Sequence, residues 1–257
     1  MTPAALEEHL AIITRQMTAA VRAFLAGARS EEALLRMVGD TFAFEAQTRA
    51  ALVEGLARDP KCLPVCSPGC AYCCHLSVFA SVPEILFLAA ALRATLSAEA
   101  LAALTARVVA AASAFADASR EDRGRAKRPC PLLDVASGRC GVYEARPLVC
   151  RAYNSCDVGV CKTAFDDALV HWEMPVDLVQ LSASRNVRTG LLAGVYAAGL
   201  DPGPYDLACG LAVALTVDDA TERWLAGDAL FSAAETAIGR TLRATWRAAF
   251  DKEASVT

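Results

Sequence analysis

Along most of the chain, apolar side chains recur every three or four residues, the spacing that puts them on one face of an α-helix. Leu6, Leu10, Ile13, Met17, Val21 and Phe24 make such a stripe over residues 4–26. Ser30 can cap a second helix, with Glu31 and Glu32 favourably placed in its first turn. That helix carries Leu34, Val38, Phe42, Leu52 and Leu56 and runs to about Arg58, before Pro60 stops it. Ser81-Val82-Pro83-Glu84 has the form of a capping box and predicts a helix over about 82–95. Ser97 caps the next, about 98–118, with Leu101, Leu104, Val108 and Phe115 facing inward. Further helices are expected at about 162–172, 176–199, 205–216, 218–227 and 231–251. The last shows Ile238, Leu242, Trp246 and Phe250 at every fourth position. Asp201-Pro202-Gly203-Pro204 breaks two of them apart.

Two stretches depart from this period, residues 62–75 and 130–161. Between them, Arg120 to Arg128 reads as a polar, mostly basic linker, solvated in the simplest reading and also able to offset negative charge. Leu132-Leu133 and Val142-Tyr143 are expected to form a short strand pair. The fold class is therefore all-α or mainly α: a helical bundle enclosing two irregular cysteine-rich segments. Residues 1–257 are expected to form a single compact unit, with a cysteine-cluster region at 62–165 flanked by helical segments 1–60 and 176–257.

Composition narrows the function. Hydrophobic residues make up 55% of the 257 and charged residues 21%, which excludes wholesale disorder. A formal net charge of −4 makes a dedicated nucleic-acid binder a poor fit, so no nucleic-acid partner is expected. No uncharged apolar stretch of about 18 residues occurs, so no membrane span is expected. The first eight residues, Met1 to Glu8, lack the pattern of a secretory signal, and the expected location is cytoplasmic.

Eleven cysteines are the strongest chemical signal, and ten lie between Cys62 and Cys161. The count is odd and the chain is too large to need staples, so reduced thiols gathered for a metal are the expectation. The first segment reads Cys66-Ser67-Pro68-Gly69-Cys70-Ala71-Tyr72-Cys73-Cys74. Its short gaps and the Ser67-Pro68-Gly69 turn let neighbouring sulfurs converge. Adjacent Cys73 and Cys74 point in different directions, so they serve different metal atoms or one of them bridges. In the second segment Cys130, Cys140 and Cys150 are too far apart for a simple knuckle and must be brought together by the fold. Four thiolates on a divalent ion leave a net charge of about −2, which calls for nearby cations. Arg146 and Arg151 flank Cys150 and are either those partners, at the cofactor, or solvated surface arginines.

These elements, together with Cys130-Pro-Leu-Leu-Asp134 and Arg139-Cys140-Gly-Val-Tyr-Glu-Ala-Arg-Pro-Leu-Val-Cys150-Arg151, resemble the YkgJ-type cysteine-cluster family. That family is described as zinc- or iron-chelating and is marked by a Cys-x-x-Cys-x-x-Cys-Cys element and eight shared cysteines. The resemblance covers about residues 62–165. It implies the metal ligands Cys66, Cys70, Cys73, Cys74, Cys130, Cys140, Cys150 and Cys161. Cys156 stands close enough to Cys161 to replace it, and Cys62 is a poorer substitute for Cys66. This chain has three residues rather than two between its first pair.

The primary expectation is a metal-binding protein that chelates zinc or iron at one or two centres, with [4Fe–4S] as one form of the iron. An iron–sulfur enzyme of protein modification is the alternative, because the resembled family includes flagellin lysine methylases. Cys66-x-x-x-Cys70-x-Tyr72-Cys73 also has the form found in radical S-adenosylmethionine enzymes, but their strand–helix barrel does not suit a helical sequence. A third reading is an interaction module with a structural metal and a protein partner. An enzyme needs polar groups besides cysteine, and the candidates are His75, Glu84, Asp134 and Tyr143. His75 is either a ligand or acid–base group or a solvated loop histidine. His9 and His171 lie in helices away from the motif, and Cys209 reads as a small core residue.

Overall fold

The computed structural model describes residues 2–27, 29–56, 59–168 and 174–254. In chain order the elements are α1 (Pro3–Ala26), α2 (Glu31–Gly55), β1 (Phe79–Ala80), α3 (Val82–Thr95), α4 (Ala98–Phe115) and α5 (Arg120–Ala126). They continue with β2 (Leu133–Asp134), β3 (Arg139–Cys140), α6 (Leu148–Ala152), α7 (Val158–Asp166) and α8 (Leu178–Ala197). The chain closes with β4 (Tyr205–Asp206), α9 (Leu207–Thr216), α10 (Ala220–Leu225) and α11 (Ala237–Ala254). Short 3-10 turns lie at Tyr72–His75, Tyr143–Ala145 and Leu230–Ala234. The structure is mainly α, as the periodicity predicts.

The helix starts follow local chemistry. Ser30, Ser81 and Ser97 cap α2, α3 and α4 through the backbone N–H groups of Ala33, Glu84 and Ala100. At α3 the capping box is complete. The most extensive packing is between α1 and α8. Gly190 and Gly194 allow it, since a Cβ at either position would stand 2.6 Å from a Cβ of α1, that of Met17 or Val21. One connected apolar cluster then runs through Ile13 and Val21, Leu34 and Val38, Ile85 and Leu88, Val108, Val187 and Leu191, and Leu211. It also takes in Leu132 and Leu148, so the second cysteine segment is rooted in the core.

Several boundaries differ from the sequence reading, each for a physical reason. The linker at 120–128 is largely helix: Ser119 and Asp122 cap each other to start α5. Its Arg123 is buried rather than solvated. Arg123 pairs with Asp206 at 2.5 Å, donates to the carbonyl of Phe115 and lies 4.3 Å over the Phe115 ring. The strand pair is β2 with β3, Leu133 opposite Cys140 and Asp134 opposite Arg139, rather than with Val142-Tyr143. Asp134 tightens this hairpin by accepting from the N–H of Ala136 and the hydroxyl of Ser137. A second antiparallel pair joins β1 to β4, Phe79 opposite Asp206 and Ala80 opposite Tyr205. α7 begins earlier than 162 because Asp157 accepts from the N–H groups of Gly159 and Val160. α11 begins at Ala237 rather than 231, after the 3-10 turn.

Among the described residues, α4 is the one helix long and apolar enough to cross a membrane, with mean hydropathy 1.4. It carries Glu99 and Arg107, and it lays Leu104, Val108 and Phe115 inward, beside α9.

Candidate metal centre

The two cysteine segments meet through their backbones. The N–H of Cys130 donates to the carbonyl of Cys74 at 2.7 Å. The Ser67-Pro68-Gly69 turn forms as expected, closed by the Cys70 N–H on the Ser67 carbonyl at 3.0 Å. Gly69, at φ +97°, meets Gly138 of the β2–β3 hairpin, at φ +68°. A Cβ on Gly138 would stand 2.6 Å from the Gly69 carbonyl oxygen, so this approach needs glycine. The Cys73–Cys74 step lies in the 3-10 turn.

The eight thiols named in the sequence reading are all free, and they fall into two neighbourhoods. Cys66, Cys70, Cys73 and Cys161 line one cleft of about 80 Å³. Cys66 and Cys73 are the exposed members of the eight. Cys74, Cys130, Cys140 and Cys150 are close enough to act on one another, and Cys74 also acts on Cys70 and Cys150 on Cys73. Burial raises Cys130 to about 12, with Cys74 and Cys140 adding to the rise. Burial raises Cys150 as well, followed by its neighbours Cys130, Cys74 and Cys140. Cys140 and Cys70 are also raised, mainly by burial. Cys73 and Cys74 form the seam between the groups. The Cys73 thiol bonds to the Cys74 sulfur and is held well above the usual thiol range, while Cys74 is drawn down to about 7.

Among the described residues, no three His, Cys, Asp or Glu side chains are closed around one point tightly enough to hold a metal. The donors are gathered but not converged. Thiolates repel one another, so a cation is what would draw such a set in and take its protons. The donor set is all sulfur. It suits zinc, iron and iron–sulfur clusters, and it excludes the oxygen-seeking magnesium and calcium.

The two flanking arginines divide. Arg146 lies 3.6 Å over the Tyr143 ring, and its charge acts on Cys74 and Cys140. Arg151 turns away from the sulfurs. It donates to the carbonyls of Arg146 and Glu144 and lies 4.2 Å over Phe42. A cation absent from the sequence reading is Arg188 of α8, whose charge faces both Cys150 and Glu84. Its Nε is buried without a hydrogen-bond partner, and an Nη donates to the Phe79 carbonyl at 2.9 Å. No motif marks it, since it is one residue of a helix far along the chain.

The non-cysteine candidates are placed as follows. His75 donates from Nδ1 to the Ala71 carbonyl at 3.1 Å, and its ring packs 4.8 Å from Phe165 at the cleft wall, so it is not a free loop histidine. Asp134 is exposed and engaged in its own hairpin, and Tyr143 is exposed beneath Arg146. Glu84 is fully buried. His9 is exposed on α1, and His171 lies outside the described residues. Cys209 is buried, with its sulfur 3.7 Å from the Ala112 carbonyl, as a core residue should be.

One expectation is overturned. Cys62 and Cys156 are joined in a disulfide, so the cysteines are not uniformly reduced. The bridge removes Cys156 as an alternative to Cys161 and Cys62 as a substitute for Cys66. Spacing could not show it, because the two are 94 residues apart. The chain segments run side by side there, with the Val65 N–H on the Ser155 carbonyl at 2.9 Å.

A helical frame that presents grouped free thiols offers the soft sulfur donors that zinc and iron take. Residues 65–172, about two fifths of the chain, match the CxxCxxCC family model, described as "Putative zinc- or iron-chelating domain". No curated protein and no solved structure matches the chain.

Proposed function

We propose that this protein chelates zinc or iron at two four-thiol centres. One is formed by Cys66, Cys70, Cys73 and Cys161, the other by Cys74, Cys130, Cys140 and Cys150. The observation that supports the reading is that Cys73 lines the cleft with Cys66, Cys70 and Cys161 while Cys74 raises Cys130 and Cys150, although Cys74 also acts on Cys70 and Cys150 on Cys73. Zinc takes four thiolates in a closed structural site, and a cubane iron–sulfur cluster takes four as well. Arg146 and Arg188 would offset the negative charge of the second centre. The first centre is more exposed, so water would screen it. The described family supports chelation of zinc or iron without choosing between them.

A second reading is an iron–sulfur enzyme that modifies a protein. It is favoured by the cleft, where the four cysteines of the first group stand with Tyr72 and His75 beside an apolar wall of Phe165 and Met174. Purification without oxygen, followed by metal and acid-labile sulfide analysis, tests both. Two zinc ions per colourless chain support the chelator, and a brown protein containing sulfide supports the cluster. Folded protein that takes up neither metal defeats both.

A further inference from the structure

α6 is only five residues long, and its starting residue, Pro147, gives it no side-chain cap. The first N–H groups of any helix need partners from elsewhere. Here the Leu148 N–H donates to Oε1 of Glu84 at 2.6 Å, from α3. The other carboxylate oxygen, Oε2, accepts from the N–H of Ser81 at 2.9 Å and from its hydroxyl at 2.6 Å. A capping-box glutamate ordinarily needs only the second of these sites, and it sits in water. Glu84 is fully buried, as are Ser81 and Leu148. Burying a carboxylate is costly unless its oxygens are satisfied, and both are. One side chain thus ties the start of α3 to the start of α6. Cys150 lies in the first turn of α6, where its N–H donates to the Pro147 carbonyl at 2.9 Å. Arg188 lies within electrostatic reach of both Glu84 and Cys150, and Glu84 within reach of Cys150.

We infer that Glu84 is a positioning residue for the second centre: through the Leu148 N–H it fixes α6 and aims the Cys150 sulfur toward Cys74, Cys130 and Cys140. This inference rests on the two-centre reading. It gives the capping box a role beyond starting a helix. It also explains why a glutamate whose partners in α3 are local is carried into the interior.

Three variants separate positioning from stability. Glu84→Met removes both acceptors. Glu84→Gln keeps an oxygen for Leu148 but loses the acceptor for the Ser81 N–H. Ser81→Ala weakens the cap and leaves the Leu148 bond intact. The readouts are zinc per chain after reconstitution, and N-ethylmaleimide labelling of each thiol in the metal-free full-length protein, mapped by peptide mass. Glu84→Met is expected to lose one of the two zinc ions and to label faster at Cys150, while Cys66 and Cys161 label as in the wild type. Glu84→Gln and Ser81→Ala are expected to keep both ions and slow Cys150 labelling despite lower stability. If Glu84→Met does not fold, Glu84→Asp decides, because its shorter carboxylate does not reach Leu148; it too should lose one ion. Retention of both ions by Glu84→Met, or by Glu84→Asp in its place, overturns the inference. So does an equal loss in Ser81→Ala. If the wild type binds neither zinc nor iron, the two-centre reading fails. The labelling arm then decides positioning alone: faster Cys150 labelling in Glu84→Met than in Ser81→Ala supports it, and equal rates overturn it.

Discussion

The backbone N–H of Cys130 donates to the carbonyl of Cys74 at 2.7 Å, joining the two cysteine segments at the residues that begin and end them. This bond places the long-gapped second segment against the short-gapped first. In this register Cys74 acts on Cys130, Cys140 and Cys150, while its neighbour Cys73 lines the cleft.

The division of the pair has a direct test. Cys74→Ser should lower zinc content by one ion per chain and lower stability, because metal binding and folding are coupled. Cys66→Ser should remove the other ion. The double variant should bind none. Elemental analysis of the three proteins checks this, and unchanged loading in Cys74→Ser would make that thiol a bystander.

What the sequence disclosed was local. Ser30, Ser81 and Ser97 cap helices three residues away, and the Ser67-Pro68-Gly69 turn closes on itself. The relationships that remained hidden join distant residues. Arg123 looks like one of several basic residues until α9 brings Asp206 to it. Cys62 and Cys156 look peripheral until their segments lie side by side. Arg151 looks like the partner of the thiols because it adjoins Cys150, yet a helix turns neighbouring side chains to different faces, and Arg188 from α8 faces Cys150 instead. Sequence adjacency predicts caps and turns well. It predicts charge pairing poorly, because pairing depends on which helices pack together.

The contact of Gly69 with Gly138 is a backbone approach with no room for a side chain. Gly138→Ala adds a methyl group against the Gly69 carbonyl and forces a positive φ on alanine. The loss of stability should be about 1–3 kcal/mol. The apo protein should show it in a lower urea midpoint, with weaker zinc binding alongside.

The Cys62–Cys156 bridge spans a sequence separation of 94 residues, and its removal restores freedom to the unfolded chain. Replacing both cysteines with serine should cost about 2–4 kcal/mol of stability. Alkylation of the unfolded, unreduced protein should modify nine cysteines, Cys209 among them, and spare these two. Modification of all eleven without reductant would show the bridge to be absent.

Arg123 and Asp206 form a buried ion pair, each about 5% exposed or less, which links α5 to the start of α9. Arg123 also donates to the hydroxyl of Ser77, two residues beyond His75. Removing one partner leaves the other charge buried and unpaired, at a cost of about 3–5 kcal/mol. Arg123→Met should therefore be far more destabilising than Arg125→Met on the same helix. Denaturant unfolding of the two variants gives the comparison. Similar losses would mean that the pair contributes no more than a surface arginine.

Proton release offers a separate measure of the second centre. Burial pushes Cys130 up to about 12 and raises Cys140 and Cys150, so these three thiols are protonated at neutral pH. A metal must displace their protons, so zinc affinity should rise with pH across the neutral range. Cys74 behaves differently. Accepting from Cys73 and lying near Arg146, it ionises at about 7. The number of protons released per zinc at this centre should fall by about one as the pH passes that value, since Cys74 is then already a thiolate. Calorimetric titration of Cys66→Ser, which leaves only the second centre, in buffers of different ionisation enthalpy counts those protons directly. A proton count that stays constant through this pH range would show that Cys74 does not titrate apart from the other three.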